Sequence, residues 1–410
     1  MNASPLVAEL LEAAQSCGNS LQKALALPGI ASLCAELALA LEGRTWKPGK
    51  HTRFAVQEPK LREIFAPSFG DRVVQAWLAV RMEPILERCL IADTYANRKG
   101  KGPLAAIRKT QKYMRQPGHI WCLQLDVRGF FHSVHRPTLL RLWLEHLEHQ
   151  GLPRPTLDLM RHVSTALLTH NAASVFSTVR CSRPLLAQVP PHKSLLHAPA
   201  DTGMPIGSAT SQHFANFYLN GLDHFVKHTL RVKGYIRYMD DLLLLGPNTA
   251  TLLAWRDAIA EYCTNQLRLD LHPGKEQLQR ADKGIRYLGY KVYPHHMHPM
   301  DRTLNTLKAR LDFFKHLFHP EVWPKRQVPE RGSWQTFAEE GFTAPVEATY
   351  CVLKSMEATI NSYYGLMCHA QSYHLRKSLY HRHFGPLRKY FIPGDSQYST
   401  IRVRKRWLWI

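Results

Sequence analysis

Apolar side chains change period along the chain, and the changes mark out its parts. Near the start Leu21, Leu25, Leu27, Leu33, Leu37 and Leu41 recur at close to helical spacing, broken at Pro28-Gly29, which predicts two helices within residues 6–42. From 46 to about 120 short apolar stretches alternate with Pro, Gly and basic residues, the pattern of short strands and helices. Inside it Val74, Trp77, Leu78, Val80, Met82, Ile85 and Leu86 predict a buried helix over 71–89. Residues 120–127 form an apolar run ending on a carboxylate, Asp126, as expected of a buried strand that delivers one acid to its end. Residues 168–202 lack periodicity and read as a long loop or hairpin insertion.

Beyond it a helix is expected over 211–226. Apolar runs at 235–239 and 242–245 then flank Asp240-Asp241 and are closed by Gly246-Pro247, which predicts a hairpin. A helix over 249–264 and short strands at 268–271 and 285–292 follow, and the pattern is helical over 301–391. The expected class is α+β, with an N-terminal helical segment (1–45), a mixed region (46–120), a sheet domain (121–300), a helical region (301–391) and a tail (392–410). In the tail Arg402, Arg404, Lys405 and Arg406 interleave with Trp407 and Trp409, which suits RNA or a protein partner and equally a loose end.

Charge narrows the partners. With 53 Lys and Arg against 32 Asp and Glu the formal net charge is +21, spread along the chain, so a polyanion is favoured: nucleic acid before anionic membrane. The eight cysteines show no C-x-x-C pair, which argues against a zinc site or disulfide framework and for a reducing cytoplasm. No signal peptide and no membrane span are expected.

Two adjacent carboxylates between apolar strands require compensation, because unpaired buried charge is costly. An Arg partner or a solvated turn would meet that need at an arbitrary Asp-Asp pair. Here, however, Asp126 ends an earlier strand ahead of Phe130-Phe131, and a segment bounded by Gly203 and Gly207 opens a helix before the hairpin. Carboxylates delivered from separate strands suit two divalent cations about 4 Å apart, the arrangement of nucleotidyl transfer, with Mg²⁺ the natural ion and Mn²⁺ a substitute.

At these residues the chain resembles reverse transcriptases over nearly its whole length. The resemblance implies a right-hand polymerase, with fingers at 46–120, palm at 121–300 and thumb at 301–391. Asp126-Val127 is similar to the first catalytic motif, where the carboxylate and the next carbonyl bind metal, and Tyr238-Met239-Asp240-Asp241 to the second. Phe131 falls where the family places a steric gate against a ribose 2′ hydroxyl; the alternative is a core aromatic, a role that suits Phe130. Pro59-Lys60-Leu61-Arg62 resembles the fingers strand that holds the incoming triphosphate. Arg62 is favoured there over Lys60, since a guanidinium fork matches phosphate oxygens. Ile206, Gly207 and Lys275 complete the implied dNTP site, with Lys275 near the leaving pyrophosphate or merely solvated. Tyr287-Leu288-Gly289 resembles the primer grip, and together with Tyr238, Met239, Arg98, Lys99, Lys101 and Arg376 is implied to contact primer and template.

The finer resemblance is to the reverse transcriptases of diversity-generating retroelements, members of the group II intron-like superfamily. It rests on Gly203-Met-Pro-Ile206-Gly-Ser-Ala-Thr-Ser211-Gln212, where most relatives carry Gln at the Ile206 position, and on Tyr95-Ala-Asn-Arg-Lys-Gly-Lys-Gly102 and Pro190-Pro-His-Lys-Ser-Leu195. Gln75-Ala76 and Ser208-Ala209 depart from the common pattern. The resemblance implies error-prone copying of a template RNA opposite adenine into cDNA that diversifies a target gene. The implied partners are an RNA/cDNA hybrid, dNTPs and a small basic helical accessory protein, the accessory variability determinant. Ile206 supplies bulk without a hydrogen-bond donor, so discrimination between correct and wrong pairs is expected to weaken; simple packing of the pocket is the plainer alternative. A retron, defence or intron-type enzyme and an inactive RNA-binding scaffold remain as other readings.

Overall fold

A computed structural model describes residues 4–17, 29–57, 60–319, 345 and 347–407. Leu21, Leu25, Leu27, Pro28, Pro59 and Trp409 lie outside the described residues. Contacts divide the chain into two compact units: Met1–Val56, Lys60–Ala106 and Trp121–Gln279 in the first, and Gln57–Pro59, Ile107–Ile120 and Arg280–Ile410 in the second. Helices and sheets are mixed through the chain, the α+β class expected from the pattern. Among the described residues no helix is long and apolar enough to cross a membrane.

The first unit is built on a four-stranded sheet in the order β5-β6-β3-β7, formed by β3 (Trp121–Asp126), β5 (Gly234–Tyr238), β6 (Asp241–Gly246) and β7 (Gln277–Arg280). β6 lies antiparallel between β5 and β3, and its run Leu242–Leu245 is buried throughout, as expected of a central strand covered on both faces. The register pairs Leu123 with Leu244 and Leu125 with Leu242 on one face, and Asp126 with Asp241 on the other. Because successive side chains alternate, Leu123, Leu125, Leu242, Leu244 and Tyr235 join the main hydrophobic core while the two carboxylates point away from it.

Helices close that core. α1 (Pro5–Ser16) begins at Ser4, whose hydroxyl accepts from Leu6 N–H, and packs with α2 (Ile30–Glu42) and α3 (Phe69–Cys89). α3 starts two residues earlier than its apolar period suggests, because Ser68 caps Asp71 N–H. Trp77, Leu78 and Met82 are buried as expected, but Val80 faces solvent at 60% exposure. The expected helix over 211–226 is broken into Ala209–Tyr218, Asn220–His224 and a π-turn over Phe225–Thr229.

Two local expectations need refinement. Of the two alternatives for residues 168–202 the hairpin is not formed; the stretch is mostly irregular, with Phe176–Thr178 (β4) running parallel beside β1 (His51–Val56), which pairs antiparallel with β2 (Arg62–Ala66). An edge-to-face contact of Phe176 with Phe65, 5.6 Å between centroids, fixes that return. Residues 268–271 form no strand. Arg268 caps the helix Thr249–Leu267 with φ of 52°, and only Leu271 bridges, to Val127.

The second unit contains a β8-β9-β10 sheet of Ile285–Tyr287, Tyr290–Val292 and Met297–Pro299, with helices Asp301–Phe318, Tyr350–Cys368 and Tyr373–His383 around their own core. The 285–292 segment is thus a hairpin, turned at Leu288 and Gly289 with φ of 46° and 90°, the left-handed pair that tight hairpins favour. The tail is not loose over its described part. Phe391–Pro393 (β11) pairs with Ile401–Val403 (β12), Ile401 and Val403 are buried, and Asn361 bonds both the N–H and C=O of Ile401.

Candidate active site

Three carboxylates meet at one end of the four-stranded sheet. Asp126 closes β3, its register partner Asp241 opens β6, and Asp240 sits in the two-residue turn joining β5 to β6. Met239, the other turn residue, takes the left-handed φ of 56°. Such a turn matches the twist of the strands and turns the chain without a loop, so Asp240 is held directly between the ends of β5 and β6.

Crowding of like charge is felt here. Burial first, then Asp126, raises the pKa of Asp240 above the ordinary carboxylate range, with Lys275 and Arg62 opposing. Burial, then Asp240 and Asp126, pushes Asp241 up to about 7, opposed by Lys275 and Lys60. Lys275 is brought there by the turn His272-Pro273-Gly274-Lys275, in which Lys275 N–H donates to His272 O while His272 N–H donates to Asp126 O at 2.7 Å. Its ammonium donates to Asp126 Oδ1 at 2.6 Å.

The donor set, three carboxylates with the Val127 carbonyl beside them, is all hard oxygen and fits Mg²⁺ by type. A cation would also relieve the repulsion that raises Asp240 and Asp241. It is not a finished cage: among the described residues no three acidic, His or Cys side chains are grouped to hold a metal.

The segment 203–207 links two of the expected dNTP elements. Met204 N–H donates to Phe131 O at 2.7 Å, and Phe65 N–H donates to Ile206 O at 2.8 Å, so the Phe131 loop, Ile206 and the strand that begins at Arg62 are tied together. Gly207 has φ of 121°, and a Cβ there would lie 2.9 Å from both Ile64 Cγ2 and Phe65 O, so only glycine lets this segment lie against β2. Ser211 Oγ closes the loop by donating to Pro205 O. The two adjacent aromatics differ: Phe130 is 2% exposed and belongs to the core, whereas Phe131 is partly buried. Arg62 and Lys60 are exposed.

Two residues expected to contact nucleic acid are engaged within the protein itself. Arg376 is buried, donating to the carbonyls of Tyr398, Gln397 and Met367 and to Ser372 Oγ, and so ties the second unit together from within. Arg98 grips Glu87 through two 2.7 Å bonds and donates to the carbonyls of Ile91 and Thr94. Lys101 Nζ donates to Ala92 O, and only Lys99, its side chain 89% exposed, reaches fully into solvent. Tyr287, Leu288, Gly289 and Arg376 belong to the second unit, whereas Asp126, Asp240 and Asp241 belong to the first.

Sequence reasoning passed over Glu63. Buried on β2, it accepts from Arg53, from Ser194 Oγ and from Leu195 N–H at 2.7 Å, fastening the 190–195 stretch to the strand of Arg62. It also missed Arg237 and Asp223. Their signal was present in Tyr235-Ile-Arg-Tyr238, where a guanidinium interrupts an apolar strand.

Comparison with known proteins bears on this arrangement. The family model described as reverse transcriptase (RNA-dependent DNA polymerase) matches residues 49–292. Protein YkfC of Escherichia coli (strain K12) is 21% identical over 284 residues, 60% of this chain and 66% of that protein. Telomerase from Candida albicans, solved in complex with a fragment of telomeric RNA, is similar at a TM-score of 0.43 and 12% identity, over 85% of this chain and 60% of that one. Apo telomerase from Candida tropicalis, truncated of its C-terminal domain, gives 0.43 and 9%, over 61% and 55%. The chain therefore spans just under two thirds of the curated relative's length and less of the telomerases. Since the family match takes in Asp126, Asp240, Asp241 and the strands that carry them, and extends over more than half of the sequence, the chain belongs to the reverse transcriptase family.

Proposed function

We propose that the protein is an RNA-directed DNA polymerase that copies a retroelement template RNA inaccurately, for diversification of a target gene. The observation that carries the polymerase reading is the pairing of Asp126 with Asp241 across β3 and β6, with Asp240 in the adjoining turn. In this reading Asp126, Asp240, Asp241 and the Val127 carbonyl would hold two Mg²⁺ ions. When bound, these ions supply an activated primer 3′ oxygen and charge neutralisation of the triphosphate.

The protein's own groups then have assignable tasks. Arg62 and Lys60, exposed and close enough to stabilise the charge on Asp240 and Asp241 respectively, take the triphosphate. Phe131, joined through its carbonyl to Met204, stands against the sugar. Ile206, whose carbonyl is fixed by β2, presents an apolar side chain beside the nascent pair. In this division β1 and β2 belong to the fingers, the four-stranded sheet to the palm, and the helices after residue 301 to the thumb. Template RNA, its cDNA hybrid, dNTPs and a basic accessory protein are the proposed partners, in keeping with a net charge of +21 for the nucleic acids.

The test is extension of a primed RNA template with dNTPs and Mg²⁺, comparing native protein with Asp240→Ala. Incorporation lost in the variant is expected, and equal incorporation by both would remove the mechanism.

A further inference from the structure

Beneath the catalytic turn lies a charge that none of the expected roles uses. Strand alternation places Tyr238 on the carboxylate face of β5 and Arg237 on the core face, opposite Leu242. Arg237 is fully buried, and each of its five N–H groups has an acceptor. Nε donates to both carboxylate oxygens of Asp223, at 2.8 and 2.9 Å, and Nη2 to Asp223 Oδ2 at 2.7 Å and to Asn216 O at 3.2 Å. Nη1 donates to Asn216 Oδ1 at 3.1 Å and to the carbonyl of Met239 at 3.0 Å.

That last bond is the informative one. Met239 O belongs to the peptide that leads into Asp240, in a residue held at φ of 56°, a conformation that most side chains avoid. A hydrogen bond from an ionised donor is stronger than a neutral one, and here it fixes the orientation of the peptide next to a metal-binding carboxylate. The counter-ion is anchored independently: Asp223 also accepts from Thr94 Oγ1 at 2.8 Å and from Tyr235 Oη at 2.7 Å. Asn216 in turn donates to Ala96 O at 2.7 Å, and Arg237 exchanges backbone bonds with Asp93 and Tyr95. The 93–96 segment and the helix that follows the Ile206 loop therefore converge on one buried guanidinium. Apolar residues could fill the same space without the desolvation cost of a buried ion pair.

We infer that Arg237 is a positioning residue: neutralised by Asp223 from below, it holds the Met239 carbonyl and so aims Asp240 at the metal-binding face. The inference rests on the polymerase reading of the site. Asp223 has a second part in it, since an Arg237 without its counter-ion would be free to turn its charge toward Asp240, whose field it already feels, and compete with the cation.

The experiment separates positioning from stability. Mn²⁺ binding to the full chain without substrate is followed by electron paramagnetic resonance, alongside thermal melting and the Mg²⁺ dependence of primer extension. Arg237→Lys keeps the charge but cannot serve Asp223 and Met239 O together, and Asp223→Asn keeps the shape but frees the guanidinium. Both are expected to weaken Mn²⁺ binding at least fivefold and to lower kcat with KM for dNTP within twofold. Tyr235→Phe removes a bond to the same Asp223 on the side away from the turn, and is expected to lower the melting temperature while leaving Mn²⁺ binding within twofold. Equal loss of Mn²⁺ binding in Tyr235→Phe, or Mn²⁺ binding within twofold of native in Arg237→Lys, would overturn the inference. Native protein that binds Mn²⁺ through Asp240 but extends no primer would defeat the polymerase reading alone.

Discussion

Lys275 Nζ lies 2.6 Å from Asp126 Oδ1, so the first carboxylate of the site already holds a cation supplied by its own chain. The Pro-Gly turn returns Lys275 over the end of β3, and the same turn hands a backbone N–H to the Asp126 carbonyl. A metal ion reaching Asp126 meets this ammonium as a competitor of like charge.

Lys275→Ala is therefore expected to tighten Mn²⁺ binding in the absence of nucleotide, even as it slows the reaction if Lys275 also meets the pyrophosphate. Its side chain is 49% exposed, so the effect is modest, about 1 kcal/mol or roughly fivefold in affinity. A titration in which Lys275→Ala binds Mn²⁺ more weakly than native would show that the lysine supports the site instead of competing for it.

Asp241 gives the metal-free protein a definite pH dependence. Its pKa is raised to about 7 in the fold, chiefly by burial and by Asp240, against an ordinary value near 4 when unfolded. Between those values the folded state holds a proton that the unfolded state does not, so stability falls as pH rises through this window. Asp241 keeps solvent-facing surface, and with screening the term is about 1 kcal/mol. Asp241→Asn should raise the melting temperature by roughly 1–3 °C at pH 8 and leave it unchanged near pH 4. Mg²⁺ should reduce the difference at pH 8, because a bound cation offsets the same repulsion. A variant that melts lower than native at pH 8 without metal would contradict the argument.

Sequence showed the carboxylates plainly because their spacing depends on strand period alone: an apolar run ending at Asp126 and two runs meeting at Asp240-Asp241 leave little freedom of register. The parts it hid are those set by partners distant in the chain. Arg98 and Arg376 sit in basic stretches that look like solvent-facing phosphate contacts, and nothing local announces Glu87 or the carbonyls of Gln397 and Tyr398. The 168–202 stretch has no period because its one strand, β4, is three residues long and depends on β1. Arg237 was visible as an anomaly in an apolar strand, but its meaning required Asp223 and Asn216.

Buried Arg376 and exposed Lys99 invite a direct test. Arg376→Ala strands the carbonyls it serves inside the second unit, and charged hydrogen bonds of this kind are worth about 1.5–3 kcal/mol each before the fold relaxes. The variant should melt several degrees lower while any protein that stays folded binds primed template within twofold of native. Lys99→Ala, at an exposed side chain, should do the reverse: no change in melting and a smaller salt dependence of RNA binding. Arg376→Ala with native melting and weakened RNA binding would restore the phosphate-contact role.

Ile206 carries the proposed inaccuracy, and its surroundings make it a clean probe. The Ile206 carbonyl is held by Phe65 N–H and Gly207 is locked against β2, so the backbone that presents the side chain is fixed whatever that side chain is. Ile206→Gln exchanges an apolar group for one of similar length with an amide donor and acceptor, on a segment where the residue is only partly buried, so the fold should tolerate it. An amide able to bond the incoming nucleotide rewards correct geometry and raises discrimination by about 1–2 kcal/mol, a roughly tenfold fall in error. That fall should be concentrated opposite template adenine, read by sequencing cDNA made by purified protein on a defined RNA. An unchanged error spectrum with unchanged extension rate would mean that Ile206 only fills space, and that inaccuracy, if present, arises from another part of the pocket.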